Sequence, residues 1–199
     1  MMSFEEIKDK LNKMLTPKRY QHSINVMDAS VVLAEKYGVD RYKAGLAGLV
    51  HDCARELDKN ETLNMCKKYG IIPDKIMQNQ PELLHGAVGS YLAGELFGIE
   101  QEDVLTAVAN HTMGREGMDK LSSIVFLADY IAEGRIYPGV EEIRKAAMDN
   151  LFKGIVAGLD STIAYILKNG GLLHPQTVLT RNWALEQLGK QTCKQDRQS

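Results

Sequence analysis

The chain has 199 residues, which suits one large domain or two small ones and allows a substantial buried core. It is 44% hydrophobic and 25% charged, as globular proteins usually are, and its net charge of −2 does not favour nucleic acid or an acidic membrane surface as a partner. Three cysteines without a zinc-binding or CxxC spacing favour the cytoplasm, and no apolar run is long enough to span a membrane (Cys53, Cys66, Cys193).

Helical periodicity recurs along the whole sequence. Apolar residues three and four apart begin at Phe4, and a second such pattern starts after Pro17 and stops at Gly38. Asp40 is a good N-cap for a helix over 41–57. A further helix should follow "DKNE" and end at Tyr69. The remaining predicted helices cover 81–97, 101–111, 121–134, 140–168 and 176–190.

The segments between these helices read as loops. Residues 71–80 should contain at most one helical turn, and "TMGREG", "RIYPGV" and "NGGLLHP" form the other loops. The stretch 140–168 is long for one helix, and we predict a break near Gly154 or Gly158. No alternating strand pattern, internal repeat or linker is visible. The sequence therefore predicts an all-α, single-domain protein.

Six ionisable side chains interrupt apolar helical segments, where burial is costly unless each finds a partner. They are His22, His51, Asp52, His85, His111 and Asp129. Taken singly, each histidine is more often a hydrogen-bonded core residue than a metal ligand, and a doublet such as His51-Asp52 can occur by chance. Taken together, one metal centre between helices would satisfy all six.

The ligand types restrict the metal. Imidazole and carboxylate without thiolate suit iron, manganese, cobalt or zinc. Adjacent helical residues point about 100° apart, so His51 and Asp52 can serve one centre only where their helix bends or ends. Asp52 could then bridge two ions, and two-metal sites hydrolyse phosphorus compounds. Small residues beside His85 suggest a close approach by another helix or a ligand (Gly86, Ala87, Gly89, Gly94).

Basic residues near these positions favour a phosphorylated substrate, because arginine binds phosphate oxygens through paired donors. The candidates are Arg19, Arg55 and Arg135, with Lys18 and Arg115 as further ones. Thr112 could donate to a phosphate or cap its helix. His174 precedes a proline in a turn, and we expect it to be structural or on the surface.

The spaced pattern of His22, His51-Asp52 and Asp129 resembles the HD-domain metal-dependent phosphohydrolases, and His85 and His111 resemble the extra histidines of their two-metal members. The stretches "RYQHSINV", "HDCARE", "PELLHGAVGSYLA" and "NHTMGREGMDKLSSIVFLADYIAEGRIYPGV" are similar to the YqeK branch, the symmetrically cleaving bis(5′-nucleosyl)-tetraphosphatases. The resemblance covers about 15–165. Two departures are Ala132-Glu133-Gly134 before Arg135, where the family typically reads "EP", and Arg55 where lysine is frequent.

The resemblance implies a single HD domain over 1–199, with a metal-binding core in about 15–165, C-terminal helices over 166–192 and a frayed tail over 193–199. It implies cleavage of diadenosine tetraphosphate to two ADP by a metal-held hydroxide. Two divalent ions, iron above all, would be held by His22, His51, Asp52 and Asp129, and by Asp52, His85 and His111. Asp52 and Arg55 would be catalytic, and Arg19, Arg55, Thr112 and Arg135 would bind substrate.

We expect no nucleic-acid or membrane partner, and a homodimer is one option. Three alternatives stay open at this point. The chain could be an HD phosphohydrolase for another nucleotide, such as a nucleoside di- or triphosphate or a signalling nucleotide. It could instead be a nucleotide-binding module without activity. A di-iron oxygenase would use the same ligands, although the arginines disfavour it.

Overall fold

The structure is a computed structural model that describes residues 1–195, with the side chains of residues 1–190. The all-α prediction is confirmed, since the described residues contain no strand. The helices are α1 Phe4–Met14, α2 Pro17–Tyr37, α3 Arg41–Val50, α4 Lys59–Tyr69, α5 Lys75–Asn79, α6 His85–Phe97, α7 Glu102–Asn110, α8 Lys120–Ile131, α9 Val140–Asp149, α10 Leu151–Lys168 and α11 Pro175–Gln195. A short 3-10 helix, Pro81–Leu84, precedes α6.

Local sequence signals account for several helix ends. Asp58 and Glu61 form a reciprocal capping box at the start of α4, and Gly70 ends that helix with φ 68°, which glycine adopts without a steric cost. Helices α2 and α6 also end on left-handed glycines, Gly38 and Gly98. No helix in the described part of the chain is long and apolar enough to cross a bilayer.

The core lies where α2 packs on α3 and α8, with α7 against α3 and α8 and with α6 against α7. Residues 44–50 of α3 and 121–128 of α8 are buried all round, as expected of helices at the centre of a bundle. Helix α10 packs between α9 and α11 and also contacts α8. The two central helices therefore carry their C-terminal ends, with His51-Asp52 and Asp129, into the interior.

Three predicted helix boundaries are wrong. Helix α3 ends at Val50 rather than at residue 57, and 51–56 form turns closed by the bonds from Cys53 N to Val50 O and from Arg55 N to Asp52 O. Helix α8 ends at Ile131 rather than at residue 134. Pro81 opens a 3-10 turn, so that the α-helix proper begins at His85.

The break in the 140–168 stretch falls at Asn150, and the prediction of Gly154 or Gly158 is wrong. The Asn150 side chain accepts hydrogen bonds from the backbone N–H groups of Phe152 and Lys153 and so begins a new helix. Gly154 lies inside α10, where a Cβ would meet the Cα of Ala147 at 2.8 Å. Helix α11 extends to Gln195, into the predicted frayed tail of 193–199. Residues 196–199 of that tail lie outside the described residues.

Candidate metal centre

The carboxylate of Asp52 lies at the centre of a buried cluster of histidines. Its Oδ1 is 3.1 Å from Nε2 of His85 and 3.5 Å from Nε2 of His111. Its Oδ2 is 3.3 Å from Nε2 of His51 and 3.7 Å from Nε2 of His22. Each oxygen thus faces a different pair of histidines, which is the arrangement that a carboxylate shared between two cations requires.

Asp129 completes one side of the cluster. Its Oδ1 lies 2.9 Å from Nε2 of His22 and 3.9 Å from Nε2 of His51. The structure therefore brings together all six side chains singled out in the sequence, from α2, the turn after α3, the start of α6, the end of α7 and α8. Two sets within it have ligand atoms within 4.8 Å of one another: His22, His51, Asp129 and His51, Asp52, His111.

Backbone hydrogen bonds orient three of the four rings. The Nδ1 atoms of His51, His85 and His111 lie 2.7, 2.5 and 2.7 Å from the carbonyl oxygens three residues earlier. A carbonyl only accepts, so each Nδ1 carries a proton, and when the ring is neutral its Nε2 is unprotonated and free to bind a cation. Metal-binding histidines are commonly fixed in this way by a partner of the other ring nitrogen.

The Nε2 atoms are better placed to bind a cation than to form hydrogen bonds with one another. Those of His85 and His111 face each other at 2.8 Å, an arrangement that two acceptors tolerate only with a proton or a metal ion between them. Burial lowers the pKa of His111, which disfavours the proton. Nε2 of His51 is buried without a hydrogen-bond partner. The donor set, nitrogen and carboxylate oxygen without sulfur, is that of a divalent metal site.

The pKa values of both carboxylates are lowered, which favours the ionised form that binds a cation. Burial would raise the pKa of Asp52, but the imidazoles of His51, His111 and His85 around the carboxylate hold it well below its usual range. Burial also opposes ionisation of Asp129, yet the hydrogen bond with His22 and the charge of Arg135 lower its pKa. The pKa of His51 is raised, because the attraction of Asp52 outweighs the effect of burial.

Two glycines allow the helices to carry these ligands so close together. A Cβ at Gly48 would come within 2.6 Å of Ser30 Oγ on α2, and one at Gly86 within 2.6 Å of Thr112 Oγ1 and 3.0 Å of Ala109 O. Gly86 follows His85 directly, so the predicted close helix approach is confirmed there. At Gly94 the nearest contact is 3.4 Å, which leaves room for a methyl group.

Two of the predicted phosphate-binding arginines contact the carboxylates of the cluster. Arg19 Nη1 lies 2.7 Å from Asp52 Oδ2. Arg135 donates to the side chain of Asp129 and, through Nε, to its backbone oxygen at 2.8 Å, and its Nη2 lies 3.3 Å from Nε2 of His22. Their positive charges therefore border both carboxylates of the cluster.

The other cation candidates divide by position. Arg55 lines a cavity of about 140 Å³ together with Lys59, Thr62 and His85, so this cavity borders the cluster. Thr112 is close as well, since its Oγ1 lies 3.4 Å from Nε2 of His85. Lys18 and Arg115 are exposed.

A comparison with protein families decides the classification. Residues 19–134, more than half of the chain and the segment holding all six clustered side chains, match the family described as HD domain. The chain belongs to the HD-domain family.

Individual relatives narrow the placement of this HD domain. A protein of Bacillus subtilis (strain 168) named symmetrical bis(5′-nucleosyl)-tetraphosphatase is 36% identical over 92% of this chain and 97% of that protein. One with the same name from Halalkalibacterium halodurans is 43% identical over 86% of this chain and 91% of that protein. A crystal structure from Clostridium acetobutylicum, described as a predicted HD superfamily hydrolase involved in NAD metabolism, has a TM-score of 0.91 at 42% identity and covers 94% of this chain and 99% of its own.

The fifth histidine of this HD domain lies apart from the cluster. His174 Nε2 is 2.6 Å from Asp74 Oδ2, and its Nδ1 accepts from the backbone N–H of Gln176 at 3.1 Å. Asp74 in turn caps α5. His174 therefore ties the start of α11 to the loop before α5, which agrees with a structural role.

Sequence reasoning missed three residues that shape the HD-domain site. Gly48 carries a signal, a glycine three residues before the His-Asp doublet, but glycines recur throughout the chain. Lys59 borders the cavity beside His85. In the sequence it resembles any solvent-exposed lysine at the start of a helix. Arg144 lies on α9 far along the chain and contacts the loop that carries Arg135. Nothing in its sequence context distinguishes it from a surface arginine.

Proposed function

We propose that this protein hydrolyses dinucleoside tetraphosphates, diadenosine tetraphosphate above all, symmetrically to two nucleoside diphosphates. One observation carries the proposal: Asp52 stands between two pairs of histidines, in a chain that is 36% identical to a symmetrical bis(5′-nucleosyl)-tetraphosphatase over 97% of that relative. A tetraphosphate chain needs cations along its length, and three arginines and a lysine border the cluster or its cavity.

The cluster would hold two divalent ions. His22, His51, Asp52 and Asp129 would bind one, and Asp52, His85 and His111 would bind the other, so that Asp52 belongs to both sets. Iron is the first expectation, and manganese, cobalt and zinc accept the same nitrogen and oxygen donors. When bound, such ions lower the pKa of water and stabilise negative charge on phosphate oxygens.

The chain's own residues then have separate tasks. Asp52, which is held ionised among the histidines, accepts a hydrogen bond from the attacking water. This bond directs a lone pair of the water oxygen towards a central phosphorus. Arg19 and Arg135 neutralise charge that accumulates on the phosphate oxygens as the P–O bond breaks. The second nucleoside diphosphate leaves with the electron pair of that bond, and the proton of the attacking water passes to the solvent. Thr112 donates its hydroxyl to a neighbouring phosphate oxygen.

The cavity beside His85 supports a phosphate contact for Arg55. Its volume of about 140 Å³ admits a phosphate group, and Arg55 and Lys59 contribute two positive charges to its lining. Glu82 is the opposing charge there. The cavity begins at His85, on one side of the cluster. It can therefore receive the part of the polyphosphate chain that lies beyond the phosphorus under attack.

The experiment is a substrate panel with resolved products. Purified protein, stripped of metal and then supplied with iron, manganese or cobalt, is offered diadenosine tetraphosphate, nucleoside di- and triphosphates and nucleoside monophosphates, and products are separated by chromatography. We expect diadenosine tetraphosphate to be the best substrate and ADP to be its only product. ATP and AMP in equal amounts would contradict symmetrical cleavage.

A second candidate, an HD phosphohydrolase for another nucleotide, is favoured by the description of the Clostridium acetobutylicum structure, which places that protein in NAD metabolism. The same panel separates the two functions, because this candidate predicts faster turnover of a simpler nucleotide with release of a monophosphate or inorganic phosphate. No turnover of any member, without bound metal, would instead favour a nucleotide-binding module.

A further inference from the structure

The turn after α8 carries Arg135 back towards the cluster. Helix α8 ends at Ile131, Ala132 has left helical geometry with φ −48° and ψ 150°, and Gly134 has φ 81°. The chain then reverses, so that the Arg135 guanidinium reaches Asp129 at the end of the same helix. Such a turn leaves the last carbonyl oxygens of α8 without helical partners, which is costly in a partly buried place.

The guanidinium of Arg144, from the neighbouring helix α9, supplies a partner for the last of them, Ile131 O, and for two oxygens of the turn itself. Its Nε donates to Ile131 O at 3.0 Å, and its Nη2 donates to Ala132 O and to Arg135 O, both at 3.1 Å. One side chain thus binds three carbonyl oxygens spread over five residues of the turn. Its remaining nitrogen, Nη1, pairs with Glu141 one turn earlier on α9.

We propose that Arg144 is a positioning residue, which fixes the turn over 131–135 and through it the guanidinium of Arg135 beside the phosphates of the substrate. The effect expected on turnover rests on the proposed function, whereas the effect expected on the turn itself does not. Arg144 donates to the backbone oxygen of Arg135 itself, so its hold on that residue needs no intermediary. Because the hydrogen bonds of Arg144 go to Glu141 and to three backbone oxygens and not to the six clustered side chains, its loss should leave metal binding intact.

Two other contacts hold the same segment without replacing Arg144. Asn25 Nδ2 on α2 donates to Glu133 O at 2.7 Å, and Tyr137 Oη donates to Tyr130 O at 2.9 Å. They fix the outer tip and the far end of the turn. The backbone N–H of Arg135 also donates to Ala132 O at 3.2 Å, so Arg144 shares that oxygen and is the side chain that binds the oxygens of Ile131 and Arg135. Lysine, a single point charge on a flexible stem, cannot span these three oxygens as the planar guanidinium does.

The kinetic test is a double-mutant cycle with R144Q and R135Q. In the metal-loaded enzyme, R144Q should lower kcat/KM for diadenosine tetraphosphate by about tenfold, as expected for a lost charged hydrogen bond. In the R135Q background the same change should have almost no further effect, since the two residues act in series. R144K should recover only part of the loss. Equal effects of R144Q in both backgrounds would overturn the proposal.

A second readout does not depend on the reaction. Hydrogen exchange of the peptide that spans residues 131–137, followed by mass spectrometry, should be faster in R144Q than in the wild type, while metal content stays unchanged. The matched control is R181Q, which removes an arginine of similar exposure that pairs with Asp160 at 2.8 Å, and it should alter neither readout. Unchanged exchange in R144Q would overturn the role of Arg144, whether or not the wild type hydrolyses a dinucleotide. Failure of the wild type to hydrolyse any dinucleotide would overturn the proposed function alone.

Discussion

Single residues show why the His51-Asp52 doublet is informative only in context. Asp52 faces His85 and His111 with one oxygen and His51 and His22 with the other. The sequence shows that these residues are polar interruptions of apolar helices, and their number predicts a shared centre. It does not show that Arg19 pairs with Asp52 at 2.7 Å, since this contact depends on how α2 and α3 pack.

Arg55 and Arg115 give a prediction at this scale. Both are basic residues that follow a member of the six-residue cluster by three or four positions, but Arg55 lines the cavity beside His85 whereas Arg115 is exposed. R55Q should raise KM for diadenosine tetraphosphate by about tenfold, because a charged contact to phosphate is lost. R115Q should leave steady-state kinetics unchanged. A KM for R55Q equal to that of R115Q would exclude Arg55 from substrate binding.

At the scale of helices, capping and packing set the helix ends that the apolar periodicity does not predict. The apolar pattern of α3 continues beyond Val50, so periodicity alone extends the helix, yet the chain turns at His51 to deliver both members of the doublet. Asn150 rather than a glycine separates α9 from α10, since its side chain caps the second helix. Gly154 and Gly158 are instead contact points, against Ala147 and the ring of Tyr130.

The glycines of α6 provide a matched pair of substitutions. G86A would place a methyl group 2.6 Å from Thr112 Oγ1 and 3.0 Å from Ala109 O, which forces α6 away from the end of α7. We expect it to lower the free energy of unfolding by about 1–3 kcal/mol and to weaken metal binding. G94A meets only Ile99 O at 3.4 Å and should be neutral or stabilising by up to about 1 kcal/mol. Urea denaturation measures both, and equal stability of the two variants would contradict the role of Gly86.

At the scale of the whole molecule, the cluster draws on five separate segments around one apolar core. The core supplies most of the stability, with side chains such as Leu33, Leu49, Val108 and Ile124 fully buried. The all-α class and the membership of the six-residue cluster could be predicted from sequence, because each depends on residue types and their periodicity. The turn held by Arg144 could not, since it depends on a contact between residues on two different helices.

Metal removal tests how far the cluster ties these segments together. Chelated protein should stay helical by circular dichroism, because the apolar core does not need the ion. At a metal concentration a hundredfold above the dissociation constant, binding should add about 2.7 kcal/mol, or roughly 5–10 °C in the thermal midpoint. H111A should show a smaller increment. Identical midpoints for chelated and reloaded wild type would show that the cluster binds no ion.

The most direct test of the proposed metal centre is a joint measurement on D52A of bound metal and turnover of diadenosine tetraphosphate. Asp52 is the carboxylate that both pairs of histidines face. We predict that D52A binds less metal per chain than the wild type and forms no detectable ADP, while its circular dichroism remains helical. Turnover at the wild-type rate, with metal content unaltered, would contradict the assignment.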